Sequence, residues 1–518
     1  MRVAVRADAS GKMGTGHLRR CLSLLNALHA LGAQTFVISR AYDGVGADVM
    51  RNENVSVCWL PAPDPDMARE KGPETSHMQW AGVPWLQDSD ETIDALRAFA
   101  PDWVIVDHYA LDAQWHDRVR SALSCRIFAI DDLGDRALSA DSLLDANASS
   151  SHASKYEGRL QRQTKLLTGL RFALFSKAYQ AAASYDFCEE IRSIGIFMGG
   201  GDPLGLSAQV LQTLRQEVGF EGEIEIVIGS SDLVSEELAE KCTNDHNLKL
   251  SVNLPELSSF YARHDLQIGA GGTATYERCL LGVPTIAMVA AENQLAVIPE
   301  LESMGAIRSA MLPTVKGTHL LPNAPTLDAV VRELIADPGK RRQMSIVSRS
   351  LIDAKGAERA ALSILKDDMT IRRTTEADAR LLHAWRNHST TRSMSLNSEE
   401  ISLAHHVEWL NTALADPDRV LLVAQIGNRP IGTIRFDLIE NNVWRVSLFL
   451  DPDLHTLGLG KYMLQLGEQE LKSRIDSDFI VRAEVVSGNA VSANMFVRGG
   501  YSGGPIEFWK SFNMERDQ

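Results

Sequence analysis

Several short stretches of the sequence carry residue types that could do chemistry. The first is Gly11-Lys-Met-Gly14-Thr-Gly16-His17-Leu-Arg19-Arg20, which follows a strand-like run and opens a helical one. Glycines there let backbone N–H groups approach an anion, and a helix start favours negative charge. Histidine titrates near neutral pH, so His17 at the mouth of this loop could move a proton or could simply cap the helix. Arg19 and Arg20 are either phosphate contacts or surface ion-pair partners. The spacing departs from the dinucleotide fingerprint and lacks the lysine of a P-loop, which weakens NAD and ATP as ligands. Val104-Ile-Val-Asp107-His108-Tyr109 and Ile130-Asp131-Asp132 place polar residues directly after apolar runs. Such positions lie at the ligand edge of a parallel sheet, although a single carboxylate there is as readily a turn residue. Met198-Gly-Gly200-Gly-Asp202 and Gly269-Ala-Gly-Gly272-Thr273-Ala-Thr275-Tyr-Glu277 repeat the glycine-turn pattern. Gly272, Thr273 and Thr275 at a helix start suit a diphosphate. Glu277, expected on the first turn of that helix, suits ribose hydroxyls, or is an ordinary acid near a positive dipole end. Further on, Leu448-Phe-Leu-Asp-Pro-Asp-Leu-His455-Thr-Leu457-Gly458-Leu-Gly460-Lys461 ends a strand and begins an apolar helix, another place for a pyrophosphate on backbone N–H groups.

The elements that must position these residues fall into three units. Residues 1–185 alternate strands (Arg2–Arg6, Thr35–Ser39, Val55–Leu60, Trp103–Val106, Ile127–Ile130) with helical runs such as Leu18–Leu31 and Thr92–Phe99. That alternation predicts a parallel sheet covered on both faces. After a connector rich in Ser and charge, about 149–192, the alternation restarts with Ile194–Met198, Glu223–Gly229, Lys249–Val252 and Asp265–Ala270, within residues 186–366. Asp328–Lys366 reads as helix, broken at Asp337-Pro-Gly-Lys340. Residues 369–518 have α+β order: helices at Asp378–Asn387 and Leu403–Ala415, strands at Val420–Ile426, Arg429–Leu438 and Trp444–Leu450, the glycine turn and its helix to Lys472, a strand at Phe479–Val486, and a helix at Val491–Arg498.

The 518 residues carry a formal net charge of -15, which excludes a general binder of nucleic acid or of anionic membrane. No run approaches the length of a membrane span, and Met1–Asp8 is a strand rather than a leader peptide. Cys21, Cys58, Cys125, Cys188, Cys242 and Cys279 have neither metal-knuckle nor redox spacing, and read as reduced cytoplasmic thiols. No dense carboxylate cluster calls for a metal.

The loop, the paired halves and the Gly-Gly-Thr-Ala-Thr-Tyr-Glu segment together resemble the GT-B superfamily of nucleotide-sugar enzymes. Within it, residues 1 to about 366 resemble the UDP-sugar hydrolases of pseudaminic acid biosynthesis, through Arg6-Ala-Asp-Ala-Ser, Gly14-Thr-Gly-His17, Asp107-His108-Tyr109, Asp131-Asp132, Met198-Gly-Gly and the Glu277 segment. The resemblance implies metal-free, inverting hydrolysis of UDP-2,4-diacetamido-2,4,6-trideoxy-β-L-altropyranose. It places catalysis at His17, Asp107 and Tyr109, and UDP-sugar binding at Gly14, Gly16, Arg19, Gly200, Gly272, Thr273, Thr275 and Glu277. Asp8 and His108 are second-rank contacts. Residues 369–518 resemble the GCN5-related N-acetyltransferases, with His455 where Gln or Arg is usual. The resemblance puts acetyl-CoA on His455, Leu457, Gly458, Gly460, Lys461, Asn489 and Asn494, and makes Glu484 a base acting through water. Phe496 stands where many relatives have the tyrosine that protonates the leaving thiolate. With no cysteine after Cys279, acyl transfer is expected to be direct, from acetyl-CoA to the amine of a UDP-4-amino sugar. A glycosyltransferase with a different acyl donor, and a non-catalytic UDP-sugar sensor, are the competing readings. Oligomeric state is not legible in the sequence.

Overall fold

In the computed structural model, all residues are described except 12, 52–54, 64–77, 201, 203, 230–233, 313–320, 322–323, 456, 505 and 513–518. Lys12, Gly201 and Thr456, quoted above within motifs, thus lie outside the described residues. The chain divides into two compact units. The larger comprises Arg2–His29 and Gln34–Ala360, and the main part of the smaller is Ala361–Gln518.

The larger unit is built on two parallel sheets. The first contains β1 (Arg2–Ala7), β2 (Gln34–Arg40), β3 (Val57–Leu60), β4 (Trp103–Asp107), β5 (Arg126–Ile130), β6 (Ser142–Asp145) and β7 (Lys165–Thr168), in the order β3-β2-β1-β4-β5-β6-β7. Its central strands are buried beyond their first residues and mostly apolar, as a sheet covered on both faces requires, with Arg6 and Asp107 as buried exceptions. The order reverses between β1 and β4, so the loop after β1 and the Asp107–Tyr109 turn after β4 open on one crevice. The second sheet contains β8 (Ser193–Phe197), β9 (Glu223–Ile228), β10 (Leu248–Val252), β11 (Leu266–Ala270), β12 (Thr285–Met288) and β13 (Arg308–Ser309), in the order β10-β9-β8-β11-β12-β13. Its reversal lies between β8 and β11, where both glycine turns emerge. Two Rossmann-like halves are therefore present, as the alternation predicts.

Three expectations need correction. The Ser-rich stretch is more than a connector: it contains β7 and short helices, and Leu170, Phe175, Tyr179 and Tyr185 belong to the core around the second sheet. The helix expected at Thr92–Phe99 spans Trp85–Leu96. Its buried face includes Asp88, Ser89 and Thr92, so an apolar period does not mark it. The helical stretch after Asp328 is three helices: Leu327–Ala336, Pro338–Leu351 and Gly356–Leu365. The expected break at Asp337 is real, because its side chain accepts from Lys340 N at 2.9 Å and Pro338 occupies the first helical position.

The smaller unit is one mixed sheet of β14 (Met369–Arg373), β15 (Arg419–Ile426), β16 (Arg429–Glu440), β17 (Val443–Leu450), β18 (Phe479–Glu484), β19 (Ser502–Gly503) and β20 (Glu507–Phe512), in the order β14-β15-β16-β17-β18-β20-β19. All neighbours are antiparallel except β17 and β18, which pair in parallel over Val443–Val446 and Ile480–Ala483. Beyond Val446 the two strands part, while β17 continues to Leu450 on β16. Helices Gly460–Lys472 and Ala490–Arg498 cover one face, with Gly467 against Ile434 and Phe436 and Gly460 against Met495. Helices Ala379–Asn387 and Leu403–Ala415 pack on the other face, around Leu410 and Leu421.

Candidate active sites

In the larger unit, a cavity of about 170 Å³ lies at the ligand edge of both parallel sheets. Helix Gly16–Ala30 brings His17 and Arg20 into it, and the ends of β4 and β5 supply Tyr109 and Asp132. His17 Nδ1 lies 2.7 Å from Asp107 Oδ1. Arg20 donates Nε to Asp107 Oδ2 at 2.5 Å and Nη2 to Oδ1 at 2.7 Å, and reaches Asp132 at 3.4 Å. Burial alone would raise the Asp107 carboxyl, but the Arg20 guanidinium and His17 hold it well below the usual carboxylate range. An ionised Asp107 accepts from His17 Nδ1–H, which fixes the tautomer and leaves Nε2 as the free basic nitrogen. The ring is held edge-on by Tyr109 at 4.6 Å and Trp80 at 6.0 Å between centroids. Tyr109 hydrogen-bonds Asp132; burial first, then the Asp132 charge, push its phenol well above the ordinary value, so it remains a donor.

The floor is braced by a second buried set. Asp8 accepts from Arg6 at 2.5 Å and from Arg40 N at 2.7 Å, and faces His108 Nε2 at 3.3 Å. Asp88 accepts from Arg6, Arg40 and Trp115. Asp8 and His108 are thus committed beneath the loop, and neither lines the cavity.

The second half contributes Gly271, Gly272 and Thr273 at the start of helix Thr273–Leu281, with Tyr276 and Gln294. Gln294 Oε1 accepts from Gly271 N and Ala290 N, and the Tyr276 hydroxyl donates to Asn147 Oδ1 at 2.7 Å. The free N–H groups of a helix start therefore face the same cavity as His17. The other sequence candidates lie elsewhere. Thr275 is fully buried, donating to Ala270 O and accepting from Arg278, so its hydroxyl is used inside the protein. Glu277 is on the second turn, not the first, because Gly272 is the N-cap and Thr273 the first helical residue. Its carboxyl faces the Tyr179 and Tyr261 hydroxyls, and burial pushes it up to about 7. Arg19 is exposed and bonds Thr15; Gly14 closes the loop with positive φ and an N–H to Ser10 O; Gly200 is exposed after β8. Trp80, Asn147, Tyr276 and Gln294 have no place among the predicted site residues, and Arg20 is a candidate there only as a phosphate contact or surface ion-pair partner. Only Arg20, three residues along the helix from His17, carried a signal.

In the smaller unit, the parting of β17 from β18 leads into the glycine turn. Gly458 has φ +84°, Leu457 and His455 flank it half-buried, and Gly460 begins the helix that carries Lys461. A Cβ on Gly460 would lie 2.6 Å from Met495 Sδ, so packing demands this glycine whatever it binds. Asn489 caps the late helix through Ser492 N, and Asn494 is exposed on it. Glu484 is exposed at the end of β18, where the strands have separated. Phe496 is only 4% exposed and packs against Tyr501 and Phe508. The parted strands, the positive-φ glycine and the helix start fit the thioester and pyrophosphate of acetyl-CoA, which His455, Leu457, Gly458, Gly460 and Lys461 would hold.

Among the described residues no group of three His, Cys, Asp or Glu side chains could hold a metal ion, and no helix is long and apolar enough to cross a membrane. Residues 382–501 match the acetyltransferase (GNAT) family. An uncharacterised protein of Methanocaldococcus jannaschii is 21% identical over 453 residues, covering 85% of this chain and 84% of the relative. The spore coat polysaccharide biosynthesis protein SpsG of Bacillus subtilis is 21% identical over 370 residues, 71% of this chain and 98% of its own. The UDP-2,4-diacetamido-2,4,6-trideoxy-β-L-altropyranose hydrolase of Campylobacter jejuni is 22% identical over 311 residues, 59% of this chain and 97% of its own. Among solved structures, MurG of Acinetobacter baumannii aligns with 70% of this chain and 99% of its own at 14% identity and a TM-score of 0.48. The chain therefore joins a stretch homologous to the Campylobacter hydrolase and the Bacillus spore-coat protein to a C-terminal domain of the GNAT acetyltransferase family.

Proposed function

We propose that this is a bifunctional enzyme of nucleotide-sugar metabolism, divided at residues 1–185, 186–366 and 369–518. The first two segments hydrolyse UDP-2,4-diacetamido-2,4,6-trideoxy-β-L-altropyranose to free sugar and UDP. The third N-acetylates its UDP-4-amino precursor with acetyl-CoA, as in pseudaminic acid biosynthesis, on cytoplasmic substrates. The observation that carries the hydrolase reading is the cavity in which His17, oriented by Asp107, faces the Gly271–Thr273 helix start. The diphosphate sits on the N–H groups of Gly272 and Thr273, placing C1 of the sugar toward His17. Nε2 of His17 takes a proton from water, whose oxygen attacks C1 as the C1–O bond breaks and UDP leaves with the electron pair. Tyr109, whose single phenol proton goes to Asp132, offers its oxygen as an acceptor to a sugar hydroxyl. In the acetyltransferase, the acceptor nitrogen attacks the thioester carbon, CoA thiolate departs, and Glu484 receives the amine proton through water.

Hydrolysis in ¹⁸O-water tests the first step. Label in the sugar and none in UDP is expected; label in UDP would mean P–O cleavage and overturn the assignment of His17.

A further inference from the structure

One face of the smaller sheet carries charge that its fold does not need. Arg419 pairs across strands with Asp437, Asp437 with Arg445, and Arg445 with Arg482, so these residues form one row over β15–β18. Arg435, two positions before Asp437, lies on the same face. Asp437 is the carboxylate at the centre, with Arg419 Nε at 2.8 Å, Arg435 Nε at 2.9 Å and an Arg445 nitrogen at 3.8 Å. Asp416 accepts from Asp418 N at 3.0 Å and lies 3.7 Å from Arg419 Nε. Arg482 has no carboxylate partner among the described residues. The helices on this side reach Arg435, which lies over the Trp409 ring at 5.6 Å, but leave Arg445 and the neighbouring Trp509 open to solvent. Two residues beyond Arg482, the row is of opposite sign: Glu484 pairs with Glu507 on β20, and both are exposed. Like charges directly opposite one another destabilise a sheet, and here an Arg–Arg and a Glu–Glu pair stand side by side. Residues that break a local rule in this way mark functional surface.

The spacing fits one kind of molecule. Glu484 lies where β17 and β18 part, at the thioester end of the acetyl-CoA cradle. Arg445 and Arg482 lie two residues back, about 7 Å along the strand, and strands are about 4.8 Å apart. An acceptor with a cationic amine at one end of a sugar ring and a diphosphate at the other spans that distance.

We propose that Arg445 and Arg482, with Arg419 and Arg435 behind them, form the subsite for the diphosphate of the acetyl acceptor, and that Glu484 and Glu507 receive its ammonium group. This rests on the reading that the acceptor is a nucleotide-linked amino sugar, and it makes the free amino sugar a poor acceptor. It also gives the chain two UDP sites, one in each unit, the one in the smaller unit being separate from the pyrophosphate cradle of acetyl-CoA.

The test uses the full chain with Arg445→Gln, Arg482→Gln and the double variant, with Arg445→Lys as the charge-preserving control. Acetyl transfer to a UDP-linked 4-amino sugar is followed by CoA thiol release. Each neutral variant should raise the acceptor KM about tenfold or more, Arg445→Lys less, with kcat and the acetyl-CoA KM within about twofold of wild type. Unchanged acetyl-CoA KM also reports an intact fold. UDP titrated into the chain should bind at two sites per molecule in wild type and one in the double variant, a count independent of turnover. One UDP site in both proteins, or an unchanged acceptor KM in the double variant, overturns the subsite. Two sites falling to one without acetyl transfer to the UDP-amine would keep the subsite and refute the acceptor chosen under the proposed function.

Discussion

Replacing Asp107 by Asn should disable hydrolysis while sparing acetyl transfer, and its size follows from the structure. The Asp107 side chain has no solvent exposure and takes three short hydrogen bonds, two from Arg20 and one from His17. The amide keeps the volume but loses the charge, and its NH₂ must face either a guanidinium or the imidazole. Breaking a buried ion pair costs about 3–5 kcal/mol. Arg20 keeps Asp132 at 3.4 Å and has some exposure, so the cost should fall near the lower end, about 3 kcal/mol. Loss of the oriented tautomer should lower kcat for UDP release by about 10²–10⁴-fold. Because the folded Asp107 titrates well below an ordinary carboxylate, its contribution to stability is complete above the unfolded value near pH 4 and is lost as pH falls through the folded value. The stability gap between wild type and Asp107→Asn should therefore be constant from about pH 8 to 5 and close in acid. The assay measures UDP release and CoA release from one preparation, with urea unfolding across pH. Hydrolysis within threefold of wild type, or a gap that widens in acid, would refute the role given to Asp107.

Further outcomes follow from other sites. Glu277, with its carboxyl pushed up to about 7, favours the protonated folded state, so its linkage stability is present below the usual glutamate value near 4.5 and is lost as pH rises through 7. Glu277→Gln should match wild type in urea at pH 4.5 and exceed it at pH 8; the opposite order would show that the charged carboxylate is stabilised. Gly460→Ala, whose Cβ lies 2.6 Å from Met495 Sδ, should destabilise the smaller unit by about 1–3 kcal/mol and raise the acetyl-CoA KM, read by thermal melting and CoA release. Phe496→Tyr should not accelerate acetyl transfer, because the ring lies between Tyr501 and Phe508 in the core; a buried hydroxyl there should instead cost about 1–3 kcal/mol. A tenfold gain in kcat would mean that the ring reaches the leaving thiolate.

The sequence displays the central strands well and the edges poorly. Trp103–Val106 is a continuous apolar segment, and Leu266–Ala270 is interrupted only by Gln267, so their buried parallel pairing is visible in one dimension. β6, β7, β12 and β13 are two to four residues long, too short for a period, and β7 lies among Ser and charged residues. The bounds of the helix Trp85–Leu96 are not legible because Asp88 and Thr92 lie on its buried face, Asp88 against Arg6 and Arg40 from other strands. The lining of the cavity is legible where one glycine-rich motif opens a helix, as at His17 and Gly272–Thr273. It is not where a role depends on residues distant in the chain. Nothing local to Arg20 shows that Asp107 will claim it, and nothing local to Thr275 shows that its hydroxyl turns to Ala270 O. The arginine row likewise exists only through the cross-strand register of β15–β18, which no local run of residues displays.

The most direct test is one reaction of the UDP-4-amino-4,6-dideoxy-N-acetyl-β-L-altrosamine acceptor, acetyl-CoA and the full chain, followed by mass spectrometry beside His17→Ala. Free diacetamido sugar, UDP and CoA should form with wild type, while His17→Ala stops at the acetylated UDP-sugar. Accumulation of the acetylated UDP-sugar with wild type would contradict the hydrolase and point to a transferase that needs an acceptor.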